Sequence, residues 1–154
     1  MAEIDLKAML EAMGRPVTLR DTPFAAALDM SLHALTPGKA TLFLPWNENL
    51  VGDPESGILH GGAITALMDQ ACGAAVMSTM RKLMPIATLD LRIDYMKPAT
   101  PRRDVFAFAH CFKRTRTIAF LRGVTYHDTP DQPIATCTAA FMLNTRSERP
   151  SGKE

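Results

Sequence analysis

The chain has 154 residues, which is enough for one domain with a sizeable hydrophobic core. Its apolar fraction of 47% and charged fraction of 21% are ordinary for a globular protein and argue against the disordered and membrane classes. The formal net charge of +1 supplies no strong field for nucleic acid, so an anionic ligand must be met by a local basic cluster.

The predicted elements follow in the order helix, two strands, long helix and four strands. Apolar residues at helical spacing predict a short first helix over 4–13 and a long helix over about 60–80. Apolar runs between turn-forming residues predict strands over 25–35, 40–45, 88–95, 105–112, 117–127 and 134–143. No repeat or linker divides the chain, so we predict a single domain over 1–154, with its core over about 22–145 and a polar tail over 146–154.

The N-terminus and the cysteines indicate a cytoplasmic protein. The chain does not begin with the basic residues and apolar run of a signal peptide, and no stretch is a clean membrane span. Three cysteines lie in apolar segments without the spacing of metal ligands: Cys72, Cys111 and Cys137. They are typical of reduced core residues, and we predict no metal site.

The strand over 88–95 indicates the type of sheet. Its residues alternate strictly, and two sets form: Leu89, Leu91, Ile93 and Tyr95 on one face, and Thr88, Asp90, Arg92 and Asp94 on the other. Such alternation argues against a parallel sheet buried on both faces. We therefore predict an α+β architecture, with an antiparallel sheet of about six strands curled around the long helix.

Asp69 is the only charged residue between Gly61 and Met80. A segment this apolar is expected to be buried, and a buried lone carboxylate is costly without partners. The helical neighbours of Asp69 are mostly small, which leaves room for a ligand or a close partner: Gly62, Thr65, Ala66, Cys72, Gly73 and Val76. The alternative is that Asp69 is a buried hydrogen-bonding residue with a structural role at a subunit interface.

The triplet His60-Gly61-Gly62 lies where a loop becomes the long helix. Glycine lets a ligand approach the backbone closely, and the first turn of a helix carries unpaired N–H groups at its positive end. These features predict a site that polarises a carbonyl group. The alternative is a tight turn without a chemical role.

The spacing of Gly61 and Asp69 predicts the oligomer. They are eight residues apart, which is about 12 Å along a helix axis. Attack on a carbonyl held at Gly61 needs contact within about 3–3.5 Å, so Asp69 of the same chain is too distant. If both residues act on one substrate, they come from different subunits, and we predict an obligate homodimer with two composite sites.

These residues also carry a family resemblance. The segments 57–63 and 67–69, and the strand over 88–95 with residues 96–99 after it, resemble hotdog-fold acyl-CoA thioesterases of the PaaI-like, phenylacetate-degradation group. The resemblance covers about residues 22–145. It implies a sheet wrapped around a central helix, dimers that associate into tetramers, and hydrolysis of an acyl-CoA thioester to a carboxylic acid and free CoA. It implies no cofactor, because CoA is part of the substrate.

The resemblance also implies roles for four residues. The Gly61 backbone N–H polarises the thioester carbonyl, and His60 shapes the loop around it. Asp69 of the partner subunit is the nucleophile or the general base. Thr88 orients the attacking water or the acid, although an ordinary polar strand residue is the alternative for this position.

Pro54 departs from the family pattern, since many members carry Asn or Gln six residues before the histidine. Asn47, Asn49 or Ser56 is expected to supply that contact instead. If none does, the alternative is a non-catalytic hotdog protein that binds acyl-CoA.

The remaining predictions concern substrate binding. Gly62 and Thr65 are placed beside the substrate by their helical spacing from Asp69. Two basic clusters could meet the CoA phosphates, namely Lys97 with Arg102 and Arg103, and Lys113 with Arg114 and Arg116. The sequence does not decide between them. No nucleic-acid or membrane partner is predicted.

Overall fold

A computed structural model describes residues 22–144 of the chain. Its elements are α1 (Pro23–Ala27), β1 (Ser31–Thr36), β2 (Lys39–Leu44), a 3-10 turn (Glu48–Leu50), β3 (Val51–Asp53), β4 (Ile58–Leu59), α2 (Gly61–Met77), β5 (Ile86–Tyr95), β6 (Val105–Arg114), β7 (Ile118–Tyr126) and β8 (Ala135–Leu143). The helix predicted over 4–13 and the tail predicted over 146–154 lie outside the described residues.

Six strands form one antiparallel sheet in the order β1-β2-β6-β7-β8-β5, and β3 pairs with β4 in a separate hairpin. Helix α2 contacts all six strands of the large sheet. A sheet that touches one helix with every strand is wrapped around that helix. The predicted α+β architecture is therefore confirmed.

Small residues on the inner face of the sheet let α2 approach closely. The buried residues of the helix include Leu67, Met68 and Val76, while the strands opposite carry several buried alanines. At Gly123 of β7, an added Cβ would lie 2.8 Å from both the Met68 Sδ and the Cys137 Sγ, which is closer than atoms can pack. The helix therefore has a fixed position on the sheet, and so have the residues that it carries.

The first predicted strand, over 25–35, is wrong in its first half. Residues Pro23–Ala27 form α1, and β1 begins only at Ser31. Proline at the first helical position and the alanines that follow favour a helix. Asp29 then adopts a positive φ of 53°, which turns the chain into the strand.

Helix α2 ends at Met77, three residues before the predicted end. The hydroxyl groups of Ser78 and Thr79 donate to the carbonyl oxygens of Ala75 and Val76, each at 2.7 Å. These side chains satisfy carbonyls that the next helical turn would otherwise bind. Among residues 22–144, no helix is long and apolar enough to cross a membrane.

Candidate active site

Asp69 lies on the side of α2 that the sheet leaves open. It is half-buried, and Gly61, Gly62 and Thr65 on the same side are exposed. The expectation that the whole segment is buried is therefore wrong for a single subunit. A sheet curled around a helix covers only part of the helix surface. The small residues on the uncovered part do not shield Asp69 from solvent.

Two members of the predicted small-residue stripe do not lie on this open side. Cys72 and Val76 are fully buried in the core. Ala66 and Gly73 are half-buried and remain beside the open face. The stripe of small residues on the open side of α2 is therefore narrower than the helical spacing suggests, and it extends from Gly62 to Gly73.

Thr88 binds Asp69 directly. Its Oγ1 donates a hydrogen bond to the Asp69 Oδ1 at 2.8 Å. The hydroxyl fixes one oxygen of the carboxylate, and no other residue of the described range donates to either oxygen. The second oxygen is therefore available to a substrate or a water molecule.

A β-bulge in β5 turns Thr88 toward the helix. Thr88 pairs with Phe141 and Asp90 pairs with Ala140, so Leu89 is an extra residue in the strand. Phe141 is buried against α2, and directly paired residues share a face of the sheet. The prediction that Thr88 lies on the same face as Asp90 is therefore wrong, because the extra residue reverses the alternation between them.

His60 caps the N-terminus of α2. Its Nδ1 accepts a hydrogen bond from the Gly62 N–H at 2.8 Å, and its carbonyl oxygen accepts from the Ala63 N–H at 3.0 Å. A Cβ at Gly62 would lie 2.9 Å from that Nδ1, so only glycine allows this contact without a shift. The Gly61 N–H has no acceptor among the described residues. The helix thus presents a single unpaired N–H at its positive end.

A groove of about 430 Å³ opens beside Gly61. Most of its lining side chains are apolar: Ile58, Leu59, Ile64, Tyr95, Met96, Pro98, Ala99 and Ile134. Among the described residues that line the groove, Lys97 alone is charged. The groove can hold an apolar group with a carbonyl at the Gly61 N–H, and it places a cation within the same site.

Tyr95 is a residue of this site that sequence reasoning did not identify. Its Oη donates to the Gly61 carbonyl oxygen at 2.7 Å and lies 2.9 Å from the Thr65 Oγ1. Thr65 in turn donates to the same carbonyl at 3.1 Å. The position of a tyrosine at the end of the apolar face of the predicted strand was the available signal.

Asn49 lies near this turn without a described side-chain contact to it. Its backbone N–H donates to the Asn47 Oδ1, and the carbonyl of the next residue, Leu50, accepts from the His60 N–H at 2.8 Å. Ser56 donates to the carbonyl of Asp53 within its own loop. Asn47 and Ser56 are therefore engaged locally, and the role of Asn49 stays a prediction.

The basic residues lie at opposite ends of α2. Lys97 is beside Gly61, whereas the Arg114 Nη1 donates to the Thr79 carbonyl oxygen at 3.0 Å, just beyond the C-terminus of the helix. Arg116 is exposed in the turn between β6 and β7. Arg103 pairs with Asp128 at 2.6 Å. One subunit therefore does not bring Lys97 together with Arg114 and Arg116.

The three cysteines, Cys72, Cys111 and Cys137, are free thiols. The Sγ atoms of Cys72 and Cys137 are 3.8 Å apart in the core. The hydrogen bond between them and burial raise the pKa of the Cys72 thiol far above its ordinary value. Burial also raises the pKa of Cys111, which is half-buried.

The antiparallel sheet, the central helix and the accessible Asp69 carboxylate agree with one class of protein. The sequence profile described as Thioesterase superfamily matches residues 56–134, and the chain belongs to this family. The medium/long-chain acyl-CoA thioesterase YigI of Escherichia coli is 30% identical, over 79% of this chain and 85% of its own.

Two solved structures extend the likeness. A Pseudomonas aeruginosa protein is 44% identical, with a TM-score of 0.74 over 80% of this chain and 92% of its own. A variant of the phenylacetic acid degradation protein PaaI from Thermus thermophilus is 27% identical, with a TM-score of 0.68 over 78% of this chain and 97% of its own. The predicted resemblance to PaaI-like hotdog thioesterases is thereby confirmed.

Proposed function

We propose that the protein hydrolyses acyl-CoA thioesters to a carboxylic acid and free CoA. The observation that carries this proposal is that two groups lie on one open face of α2, namely the unpaired Gly61 N–H and the Asp69 carboxylate, of which one oxygen is held by Thr88 and the other has no donor among the described residues. The first can polarise a carbonyl, and the second can attack it or activate water. The E. coli relative, named as an acyl-CoA thioesterase, supports CoA as the thiol carrier.

Two subunits build each site in this proposal. The eight-residue spacing separates Gly61 from Asp69 of the same helix by about 12 Å along its axis. An antiparallel pair of α2 helices, related by a two-fold axis, would bring Asp69 of one subunit to Gly61 of the other. The open side of α2 supports this arrangement, since it leaves small residues and both site groups uncovered.

The proposed reaction uses the two groups in sequence. The thioester carbonyl accepts a hydrogen bond from the Gly61 N–H, and the positive helix end stabilises the oxyanion as it forms. Asp69 either attacks the carbonyl carbon, giving an anhydride that water hydrolyses, or takes a proton from the water that attacks. The tetrahedral intermediate collapses, the C–S bond breaks, and the CoA sulfur takes up a proton. No cofactor is needed.

The basic residues fit the same arrangement. A two-fold axis that opposes the two helices places the C-terminal end of one α2 toward the N-terminal end of the other. Lys97 and the partner subunit's Arg114 and Arg116 then approach one ligand. A CoA molecule carries three phosphate groups that such a cluster would neutralise. Gly62 and Thr65 border the substrate path, and Asn49 is proposed to replace the missing amide at Pro54.

A dimer of dimers is part of the proposal. The sheet face turned away from α2 carries a row of partly exposed aromatic rings, in which Phe106 contacts Phe43 at 5.1 Å and Tyr126 at 5.8 Å between centroids. An apolar sheet face is costly to leave in water. A second dimer would cover it.

The proposed role of Thr88 gives a separate test. Thr88→Val keeps the shape of the side chain and removes the hydroxyl that holds Asp69. A hydrogen bond to a charged group is worth about 1.5–3 kcal/mol, so we expect kcat to fall about 10- to 100-fold. Thr88→Ser should retain most activity, and Thr138→Val, on the exposed outer face of β8, should retain all of it. Equal kcat values for Thr88→Val and wild type would contradict this role.

The alternative function is acyl-CoA binding without turnover, and Pro54 is the residue that favours it. The two functions are separated by thiol release measured with a chromogenic thiol reagent across aromatic and short- to long-chain acyl-CoAs. The proposal expects release from at least one class of ester. Tight binding by calorimetry, with no release from any ester, would support the alternative.

A further inference from the structure

Gly61 and Gly62 form the first turn of α2, and this turn can polarise a carbonyl group only if other residues fix its peptide groups in place. Two consecutive glycines have more conformational freedom than any other pair. A donor that stabilises a developing oxyanion must be fixed in direction before the reaction begins. The residues that fix this turn therefore set how well the Gly61 N–H is aimed.

Both edges of the peptide group between Gly61 and Gly62 are hydrogen-bonded. On one edge, the Gly61 carbonyl oxygen accepts from the Tyr95 Oη at 2.7 Å and from the Thr65 Oγ1 at 3.1 Å. On the other edge, the Gly62 N–H donates to the His60 Nδ1 at 2.8 Å. This peptide plane cannot rotate without breaking contacts on both sides.

The preceding peptide group is held on one edge only. The His60 carbonyl oxygen accepts from the Ala63 N–H at 3.0 Å, and the Gly61 N–H is its opposite edge. Among the polar groups of these two peptides, the Gly61 N–H alone has no partner within the described range. The hydrogen bonds of the described residues thus leave the Gly61 N–H available to a ligand.

Tyr95 differs from the other partners of this turn because it comes from a distant part of the chain. His60, Ala63 and Thr65 belong to the turn or to the first helical turn after it. Tyr95 is the last residue of β5 and anchors the turn to the sheet. Its ring also lines the groove, and a Cβ added at Gly61 would lie 3.4 Å from its Oη. The same strand carries Thr88, which binds Asp69. Strand β5 therefore supplies the side chains that contact both the Gly61 turn and the Asp69 carboxylate.

We propose that Tyr95 is a positioning residue, whose hydroxyl holds the Gly61–Gly62 peptide so that the Gly61 N–H is aimed at the substrate carbonyl. The inference rests on the proposed hydrolysis. The hydroxyl acts through the turn and not on the substrate. Its loss should therefore lower the rate of the chemical step and leave substrate binding intact.

The test is Tyr95→Phe, which keeps the ring in the groove and removes only the hydroxyl. We expect kcat to fall about 5- to 10-fold. We expect KM, and the Kd of a non-hydrolysable thioether analogue of the substrate, to stay within about twofold of wild type. The matched control is Tyr126→Phe, because Tyr126 lies on the opposite face of the sheet. Its kinetics should equal those of wild type.

Amide hydrogen exchange gives a readout that does not depend on activity. In Tyr95→Phe, the Gly62 and Ala63 amides should exchange faster, while those of β6 and β7 keep their protection. An unchanged kcat with unchanged Gly62 exchange would overturn the inference, and so would faster exchange throughout the sheet. If wild type released no thiol from any ester, the proposed function would fail, and the Gly62 exchange would still decide whether Tyr95 holds the turn.

Discussion

We expect Asp69→Asn to lower the kcat for thioester hydrolysis by about 1,000-fold or more, because the amide can neither take a proton from water nor form an acyl intermediate. The Asn side chain has nearly the same size and can still accept the hydrogen bond from Thr88. The turn at Gly61 is not touched, so substrate affinity should remain. The rates of thiol release at saturating substrate, for wild type and variant side by side, measure the effect.

Asp90→Asn is the matched control for this prediction. Asp90 lies two residues from Thr88 on the outer face of β5, is exposed, and should tolerate the same change without loss of rate. The structural alternative for Asp69 expects a different result, namely a loss of about 1–3 kcal/mol in the free energy of unfolding. Full activity of Asp69→Asn would contradict the assigned role, and lost activity with unchanged stability would contradict the structural one.

Gly61→Pro removes the N–H that is proposed to polarise the carbonyl, and it should lower kcat about 100- to 1,000-fold. Proline is favoured at the first position of a helix, where its missing N–H breaks no helical bond. The residue before a proline prefers extended backbone, and His60 already has φ −61° and ψ 137°. We therefore expect Gly61→Pro to preserve the backbone conformation at the start of α2 and to remove only the N–H donor.

Gly61→Ala is the control for the added bulk. A Cβ at this position would meet the Tyr95 Oη at 3.4 Å, which is ordinary contact, and the N–H is retained. We expect Gly61→Ala to keep a much larger part of the wild-type kcat than Gly61→Pro. Circular dichroism and thermal unfolding of both variants check that the fold survives. Equal kcat values for the two variants would contradict the proposed role of the Gly61 N–H.

The sequence predicts the architecture well because its pattern is strong. Long apolar runs between turn-forming residues indicate the six strands of the sheet, and a long apolar segment indicates the central helix. The errors in the predicted element boundaries arise where a few local side chains determine the backbone conformation. Pro23 and the alanines after it favour a helix where a strand is predicted, and the hydroxyls of Ser78 and Thr79 end α2 early.

The site is predicted in part. Spacing, charge and resemblance indicate His60, Gly61 and Asp69 as candidate site residues. A helix that is apolar on all sides cannot show which side the sheet covers, so the open position of Asp69 is not predictable. The bulge at Leu89 has no clear signature either, yet it decides which face Thr88 occupies. Tyr95 is missed because its contact partner is a backbone carbonyl 34 residues earlier.

Subunit mixing distinguishes an active site shared between two subunits from one contained within a single subunit. Asp69→Asn and Gly61→Pro subunits, each inactive alone, are produced together so that they form mixed dimers. If each site combines Gly61 of one subunit with Asp69 of the other, every mixed dimer contains one intact site, and random assembly restores about one quarter of the wild-type activity. If each subunit holds a complete site, no dimer contains an intact one, and thiol release stays at the level of the separate variants.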